Sequence, residues 1–431
     1  MPIEPVINMR CNNMKITFNG GAREVGGSCS VVETEDARVA LDFGIKVDEG
    51  LSYNMPENLD AVFISHAHLD HSGNLLTIAD KKVVVIGSKA TRDVTSELLQ
   101  DLIKIQKMKG NAVPYNFQDV IKLSELWITR QKLALPGMEV TQYPAGHVLG
   151  ANMVHLKTRD KTVLYTGDFC VHDTEILDGV DVDALPREPD VLIMESTYGG
   201  TIRPEREELV KALFKKIRET MKRGGNILIP AFAFHRIQEM TRRIDLAMKA
   251  KRLPRYNAYY ISGLAHRITQ YYHDNKTLLS KQVNKQANPF NLQRVRRVRR
   301  IGQIREPAIV ICTSGFGHAG ASRVLLAKWA GNEDNAVIIN TGYLPPNSPL
   351  LMAKEGKIVE NGVSIDVNAD IDQIELSGHA DQEELIDFVK TIKPKRTFLI
   401  HGNLDQAQAL SDKISKYTNV EVPNKNESFK I

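Results

Sequence analysis

The stretch His66-Ala-His68-Leu-Asp70-His71 packs three of the chain's twelve histidines and a carboxylate into six residues, directly after the apolar run Ala61–Ile64. In an extended segment alternate side chains share a face, so His66 and His68 can reach one ion. Asp70 and His71, on the turn that follows, can face a second. Imidazole nitrogen and carboxylate oxygen are ligands that zinc accepts at about 2.0–2.2 Å. A lone histidine is usually a satisfied core or surface residue; this window is too dense for that explanation. One window cannot close two sites, so further ligands are expected at other strand ends. Three candidates stand out: His147 in Pro144-Ala-Gly-His-Val-Leu-Gly150, Asp168 in Tyr165-Thr-Gly-Asp-Phe169, and His401 in Leu399-Ile-His-Gly402. Each follows an apolar run and has a glycine within two residues, which is expected to let the backbone crowd close to an ion.

Outward from that window, short β-branched runs alternate with longer amphipathic stretches. Strands are expected at Lys15–Phe18, Ser30–Glu33, Val39–Asp42, Ala61–Ile64, Val83–Ile86, Val163–Tyr165 and Val191–Glu195. Others are expected at Ile227–Pro230, Ile309–Thr313, Val337–Asn340, Ile371–Leu376 and Thr397–Ile400. Helices are expected over Ala90–Lys107, Pro204–Arg223, Arg236–Lys251, Ala321–Ala330, Gln382–Thr391 and Leu404–Ser415. The pattern is mixed α/β. Polar chemistry gathers where strands end, as it does in layered α/β folds. No internal repeat or low-complexity linker is visible, and the helix start at Arg203–Pro204 is a candidate domain boundary.

A length of 431 residues suggests two or three domains. With 42% hydrophobic and 25% charged residues and a net charge of +4, disorder is excluded as the dominant state. No apolar run is long enough for a membrane span, and Met1–Asn13 has no apolar core to mark it for secretion. Cys11, Cys29, Cys170 and Cys312 lie far apart, which argues against a thiolate zinc site and a disulfide scaffold. The chain reads as a soluble cytoplasmic protein. One basic cluster stands apart: Arg294, Arg296, Arg297, Arg299, Arg300 and Arg305, preceded by Lys281 and Lys285. A charge run is most often a solvated face. In an enzyme acting on a polyanion, arginine forks instead match phosphate oxygens.

The order Asp42, His66-x-His68-x-Asp70-His71, His147, Asp168 resembles the metallo-β-lactamase superfamily. Glu195 in Glu-Ser-Thr-Tyr-Gly, His379 in Ser-Gly-His-Ala-Asp and His401 in His-Gly narrow the resemblance to its β-CASP branch of nucleic-acid-processing nucleases. Gly224-Gly-Asn-Ile-Leu-Ile-Pro-Ala-Phe-Ala233, Gln238-Glu239 and Asn288-Pro-Phe290 fit the same branch. Gly21-Ala-Arg-Glu-Val-Gly-Gly-Ser28 is similar to the archaeal group related to the cleavage and polyadenylation specificity factor nuclease, with ribonuclease J more distant. The resemblance implies an αββα sandwich, residues 1–200 and 361–431, interrupted by a β-CASP α/β domain over 201–360. It implies two zinc ions: His66, His68 and His147 on one, Asp70, His71 and His401 on the other, Asp168 on both. Asp42 would support a ligand by hydrogen bonding, and Asp70 and Asp42 would belong to the catalytic set.

The implied activity is zinc-dependent hydrolysis of RNA phosphodiester bonds, endonucleolytic or 5′→3′ exonucleolytic, leaving 5′-phosphate and 3′-hydroxyl ends. His379 is the expected general acid, because an imidazole can donate a proton near neutrality. Glu195 would fix its tautomer. RNA is the expected partner, with the arginine cluster as the basic wall of a cleft between the domains. A homodimer or membership of an RNA-processing or decay complex is compatible with the resemblance. Two readings compete: a small-molecule hydrolase on the same core, and a catalytically silent RNA-binding subunit. The length, the Glu195/His379 pair and the arginines weigh against the first, and the filled ligand positions against the second. The sequence departs from the family at Phe316-Gly-His-Ala-Gly320, at Leu344-Pro-Pro-Asn-Ser-Pro349, and at His235, where glycine is usual. His235 and His318 are read as RNA contacts or packing residues. Met1–Asn13 is too short for the RNA-binding KH domain that archaeal relatives carry ahead of the nuclease.

Overall fold

The computed structural model describes residues 14–46 and 55–431, so Cys11 and the Met1–Asn13 segment lie outside the described residues. Two compact units emerge. One comprises the described residues up to Val171 together with Gly179–Ile202 and His379–Ile431; the other comprises His172–Asp178 and Arg203–Gly378.

In the first unit, alternation along Lys15–Gly20 buries Ile16 and Phe18 and leaves Lys15 and Thr17 half-exposed, the signature of a strand with one face on a core. This strand belongs to a seven-stranded sheet: Glu427–Lys430, Lys15–Gly20, Cys29–Glu33, Arg38–Leu41, Ala61–Phe63, Val84–Ile86 and Trp127–Ile128, in spatial order. A second seven-stranded sheet runs Asn419–Glu421, Arg396–Ile400, Val191–Glu195, Thr162–Tyr165, Asn152–Lys157, Met138–Pro144 and Lys132–Leu135. Phe18, Leu41 and Phe63 from one sheet meet Val140, Val163, Ile193 and Phe398 from the other in a single apolar core. On the outer face of the first sheet, Leu99 and Ile103 of the helix Lys89–Met108 and Val120 of Phe117–Glu125 cover Val62 and Val85. The helix Leu404–Ile414 packs on Arg396–Ile400 of the second sheet. Helix, sheet, sheet, helix is the αββα sandwich.

Val191–Glu195 and Arg396–Ile400 are parallel neighbours, with Glu195 opposite Ile400. Residues separated by some two hundred positions are thereby set side by side, and the polar segments that follow both strands emerge together.

The second unit is built on an all-parallel six-stranded sheet in the order Val295–Arg297, Asn257–Ile261, Ala308–Cys312, Ile227–Pro230, Ala336–Ile339, Asp370–Gln373. Its central strands are apolar throughout because both faces are covered. Arg206–Lys222 and Arg236–Lys249 close one face, and Gly320–Trp329 with Pro349–Lys354 closes the other.

The six expected helices are present with ends displaced by at most two residues. The expectations omitted, among others, the strands Lys132–Leu135, Met138–Pro144, Asn152–Lys157, Asn257–Ile261, Val295–Arg297 and Glu427–Lys430 and the helices Phe117–Glu125 and Gly263–Asp274. Val295–Arg297 was hidden by its charge. It is an edge strand, where arginines on the open side are tolerated. Cys29, Cys170 and Cys312 are buried free thiols. Among the described residues, no helix is long and apolar enough to cross a membrane.

The helices on one face of the second unit are tied by a buried ionic cluster. Arg236 donates to Glu239 Oε2 (2.7 Å) and to the Leu376 carbonyl (2.6 Å). Arg206 donates to Glu239 Oε1 and to the Ser377 carbonyl (3.2 Å), and Arg243 lies 3.5 Å from Oε1. Burial opposes the Glu239 charge, but Arg206, Arg236 and Arg243 outweigh it and hold the carboxyl well below its usual 4.5. A depressed carboxylate adds stability above the unfolded-state pKa and loses it as pH falls toward the folded-state value. Glu239→Gln should therefore destabilise the protein at neutral pH by about 3–5 kcal/mol, the range for breaking a buried pair. Its stability should also fall less steeply than the parent's below pH 4.5, which thermal melting across an acid series would check.

Candidate metal centre

Four strand ends of the first unit deliver the ligand-type side chains. His66, His68, Asp70 and His71 follow Ala61–Phe63, His147 follows Met138–Pro144, Asp168 follows Thr162–Tyr165, and His401 follows Arg396–Ile400. The ligand atoms of His66, His68 and His147 lie within 4.8 Å of one another, as do those of Asp70, His71 and His401. Asp168 lies centrally. Its Oδ2 is 3.3 Å from His71 Nε2, 3.7 Å from His66 Nε2 and 3.8 Å from His147 Nε2, and its Oδ1 is 3.2 Å from His401 Nδ1.

A layer beneath fixes the rings. Asp42 is fully buried and its Oδ2 receives the Tyr165 hydroxyl (2.6 Å), the Ser65 hydroxyl (2.7 Å) and His71 Nδ1 (2.6 Å). Ser65 has committed its proton to Asp42, so at 3.0 Å it accepts from His66 Nδ1. Both His66 and His71 are thereby held with Nδ1 protonated and Nε2 turned toward Asp168, the nitrogen each ring would lend to a cation. His66 Nε2 faces His68 Nδ1 at 2.9 Å, and His147 Nε2 lies 3.4 Å from the same atom. Asp168 Oδ1 is buried and accepts no hydrogen bond. Lone pairs from rings and a carboxylate converging in a buried place, with a carboxylate oxygen left over, suit divalent cations.

The charge states agree with that use. Burial, with His71 adding to it, holds His66 well below the usual imidazole range, and burial pushes His68 down to about 4. Burial works against Asp70 and Asp168, yet the nearby imidazoles outweigh it. His71 and His401 bring Asp70 to about 2; His401 and His71 hold Asp168 low. The carboxylates are ionised and the His66 and His68 rings neutral, the forms that bind metal. Burial is outweighed at His71 by Asp168, Asp42 and Asp70 and at His401 by Asp168 and Asp70, which raise both rings. These two would release protons to an entering cation.

Beside this cluster, His379 Nδ1 donates to Glu195 Oε2 (2.8 Å), with Oε1 at 3.0 Å. Glu195 Oε1 also accepts the Phe169 backbone N–H (2.8 Å). The His379 ring centroid is 4.5 Å from that of His147. The ligand atoms of His147, Asp168 and His379 likewise lie within 4.8 Å of one another, so His379 stands within reach of the same cations.

Three contributors escaped the sequence reading. They are Ser65 and Tyr165, which serve Asp42 and His66, and Thr197, whose hydroxyl lies 3.2 Å from His401 Nδ1. Each adjoins a motif residue, which was the available signal. The glycines also act differently from expectation. A Cβ on Gly167 would sit 2.5 Å from the Ser65 side chain, and one on Gly402 2.4 Å from the Ser196 carbonyl. These glycines admit neighbouring protein rather than an ion. In the second unit, His235 is buried with Nδ1 3.0 Å from the Tyr272 hydroxyl, a packing position. The arginines do not share one face: alternation along Val295–Arg297 turns Arg296 and Arg297 to opposite sides. Arg294 and Arg296 line cavities with Arg255, whereas Arg297 and Arg299 lie near His266, with Arg300 exposed beyond them.

Comparison with known proteins agrees with this architecture. Residues 22–213 match the metallo-beta-lactamase superfamily, 237–349 the Beta-Casp domain, and 364–423 the Zn-dependent metallo-hydrolase RNA specificity domain. A probable RNase of Methanocaldococcus jannaschii, RNase MJ4, is 31% identical over 92% of this chain and 95% of its own. Integrator complex subunit 11 of Danio rerio is 29% identical over 94% of this chain and 71% of its own. The chain belongs to the metallo-β-lactamase superfamily of metal-dependent hydrolases, in its β-CASP branch. A solved protein of unknown function from Enterococcus faecalis, 17% identical, shares the fold with a TM-score of 0.58 over 97% of this chain and all of that one.

If Asp42 sets the His71 ring, Asp42→Asn should weaken divalent-metal binding by about 10–100-fold, the usual effect of losing such a partner. Competition with a chromogenic chelator would measure it, and unchanged affinity would show that His71 needs no such anchor.

Proposed function

We propose that the chain is a zinc-dependent ribonuclease that hydrolyses RNA phosphodiester bonds, leaving 5′-phosphate and 3′-hydroxyl ends. The observation that carries this reading is Asp168, a buried carboxylate ringed by four imidazoles beside a histidine–carboxylate pair. His66, His68 and His147 would hold one zinc and Asp70, His71 and His401 the other, with Asp168 serving both. When bound, the ions would supply activation of water at neutral pH and neutralisation of charge on the phosphate.

The remaining work falls to the protein. Asp42 and Ser65 keep the rings of His71 and His66 in one tautomer, so the ligand set needs no rearrangement when substrate arrives. Glu195 occupies Nδ1 of His379, which leaves Nε2 as the ring position able to carry a proton to the leaving 3′ oxygen. Glu195 is itself anchored by the Phe169 N–H, which keeps the ring in position. The match to an RNA specificity domain over 364–423, which includes His379 and His401, and the ribonuclease named among the relatives both support RNA as substrate. Arg297, Arg299 and Arg300 would add attraction for its backbone. The relative named as a subunit of a larger complex supports a role within an RNA-processing assembly, and a homodimer is compatible with the same role.

His379→Ala should keep its zinc and lose cleavage by about 10²–10⁴-fold, the usual contribution of a positioned acid. Loss of zinc in that variant would make His379 a ligand instead. Asp168→Ala should lose metal and activity together, and full zinc occupancy by elemental analysis would refute its shared role. RNA labelled at either end and digested with and without chelator would separate internal cleavage from stepwise release at the 5′ end. Chelator-resistant cleavage would end the metal-dependent reading.

A further inference from the structure

The second unit carries a basic cavity that the metal chemistry does not use. It has a volume of about 480 Å³, a floor of Met248, Leu253 and Pro254, and walls that include Arg218, Arg252, Arg255 and Arg294. A smaller cavity of about 170 Å³ shares Arg255 and Arg294 and adds Arg296 and Tyr256. Both lie where the strands Asn257–Ile261 and Val295–Arg297 begin. Arg297 and Arg299 lie beyond them, toward the end where those strands finish. The three arginines of the neighbouring helix are neutralised: Arg236 and Arg243 meet Glu239, and Arg242 faces Glu175. Among the described residues, Arg218, Arg252, Arg255, Arg294 and Arg296 form no ion pair. A helix C-terminus attracts cations, which accounts for Lys249 and Lys251 at the end of Arg236–Lys249. It does not account for Arg255, Arg294 and Arg296.

These groups are also held in place. Arg218 donates to the Arg252 carbonyl (3.2 Å), and the Arg252 guanidinium lies over the Phe214 ring, 5.7 Å from its centre. The buried Asp245 carboxylate accepts the backbone N–H groups of Gln293 (2.7 Å), Arg294 (2.5 Å) and Val295 (3.2 Å), which fixes the turn that presents Arg294. Five guanidinium groups without ion pairs, with Arg218, Arg252 and the Arg294 turn held by these contacts, suit an anion with several oxygens. A protein partner would need exposed apolar anchors at such a place. The exposed apolar residues of this unit, Leu278, Val324, Val359 and Val363, line neither cavity.

We propose that these adjoining cavities are a phosphate-binding site for the RNA backbone, separate from Arg297, Arg299 and Arg300. This rests on the ribonuclease reading. The test uses zinc-loaded protein and a long, labelled phosphorothioate RNA that resists cleavage, with affinity measured across a salt series. Replacing Arg218, Arg252 and Arg255 by Gln together should reduce the slope of log affinity against log salt by about 2, since each phosphate contact on a single strand contributes about 0.7. The triple Lys variant should retain most of the slope. An unchanged slope in the Gln variant overturns the site, and an equal loss in the Lys variant together with a lowered melting temperature shows a packing role instead. Polyglutamate binding that depends on these arginines, with RNA unaffected, would identify an acidic polypeptide as the ligand and also overturn it. Wild-type protein that neither binds nor cleaves RNA would bring down the ribonuclease reading itself, whereas normal wild-type binding confines any failure to the cavities.

Discussion

The charge of Asp168 is the constraint around which the first unit is arranged. A carboxylate taken out of water loses several kcal/mol of hydration unless other groups replace it. Here four imidazoles surround it, none from the same strand end as Asp168, and His401 and His71 hold its charge. Such convergence requires strands whose ends are fixed to within a fraction of an ångström, and the sandwich core of Phe18, Phe63, Val163 and Phe398 supplies that rigidity. The same packing that stabilises the fold therefore holds the ligand geometry.

Around that carboxylate, a second set of groups decides which atoms are presented. Asp42 collects protons from Tyr165, Ser65 and His71, and Ser65 in turn accepts from His66. Glu195 performs the corresponding service for His379. A histidine has two nitrogens with interchangeable roles, so its chemistry is undefined until one of them is engaged. In this protein, buried oxygens engage His66, His71 and His379 from behind.

The second unit treats charge in two contrasting ways. Glu239 sits among Arg206, Arg236 and Arg243, and its charge links the helices Arg206–Lys222 and Arg236–Lys249. Where the outer strands of its sheet begin, arginines stand without carboxylates. The first arrangement uses ion pairing to specify structure, and the second leaves cations available to something outside the chain.

The sequence alone determined the class of fold and singled out the side chains that converge at the candidate metal centre. Apolar period marks central strands and amphipathic helices, and His66, His68, Asp70 and His71 declare their chemistry within a single turn. Those signals are local, so they survive without coordinates. Tertiary structure decided what depends on partners distant in the chain. The Ser65 hydroxyl matters only because Asp42 takes its proton, and Gly167 is needed because Ser65 presses against it. His235 is internal because Tyr272 meets it. The arginine run looked like one surface because sequence carries no register. Pairing Tyr259 with Arg296 and Tyr260 with Arg297 at the sheet edge divided it, since successive side chains of a strand point to opposite faces.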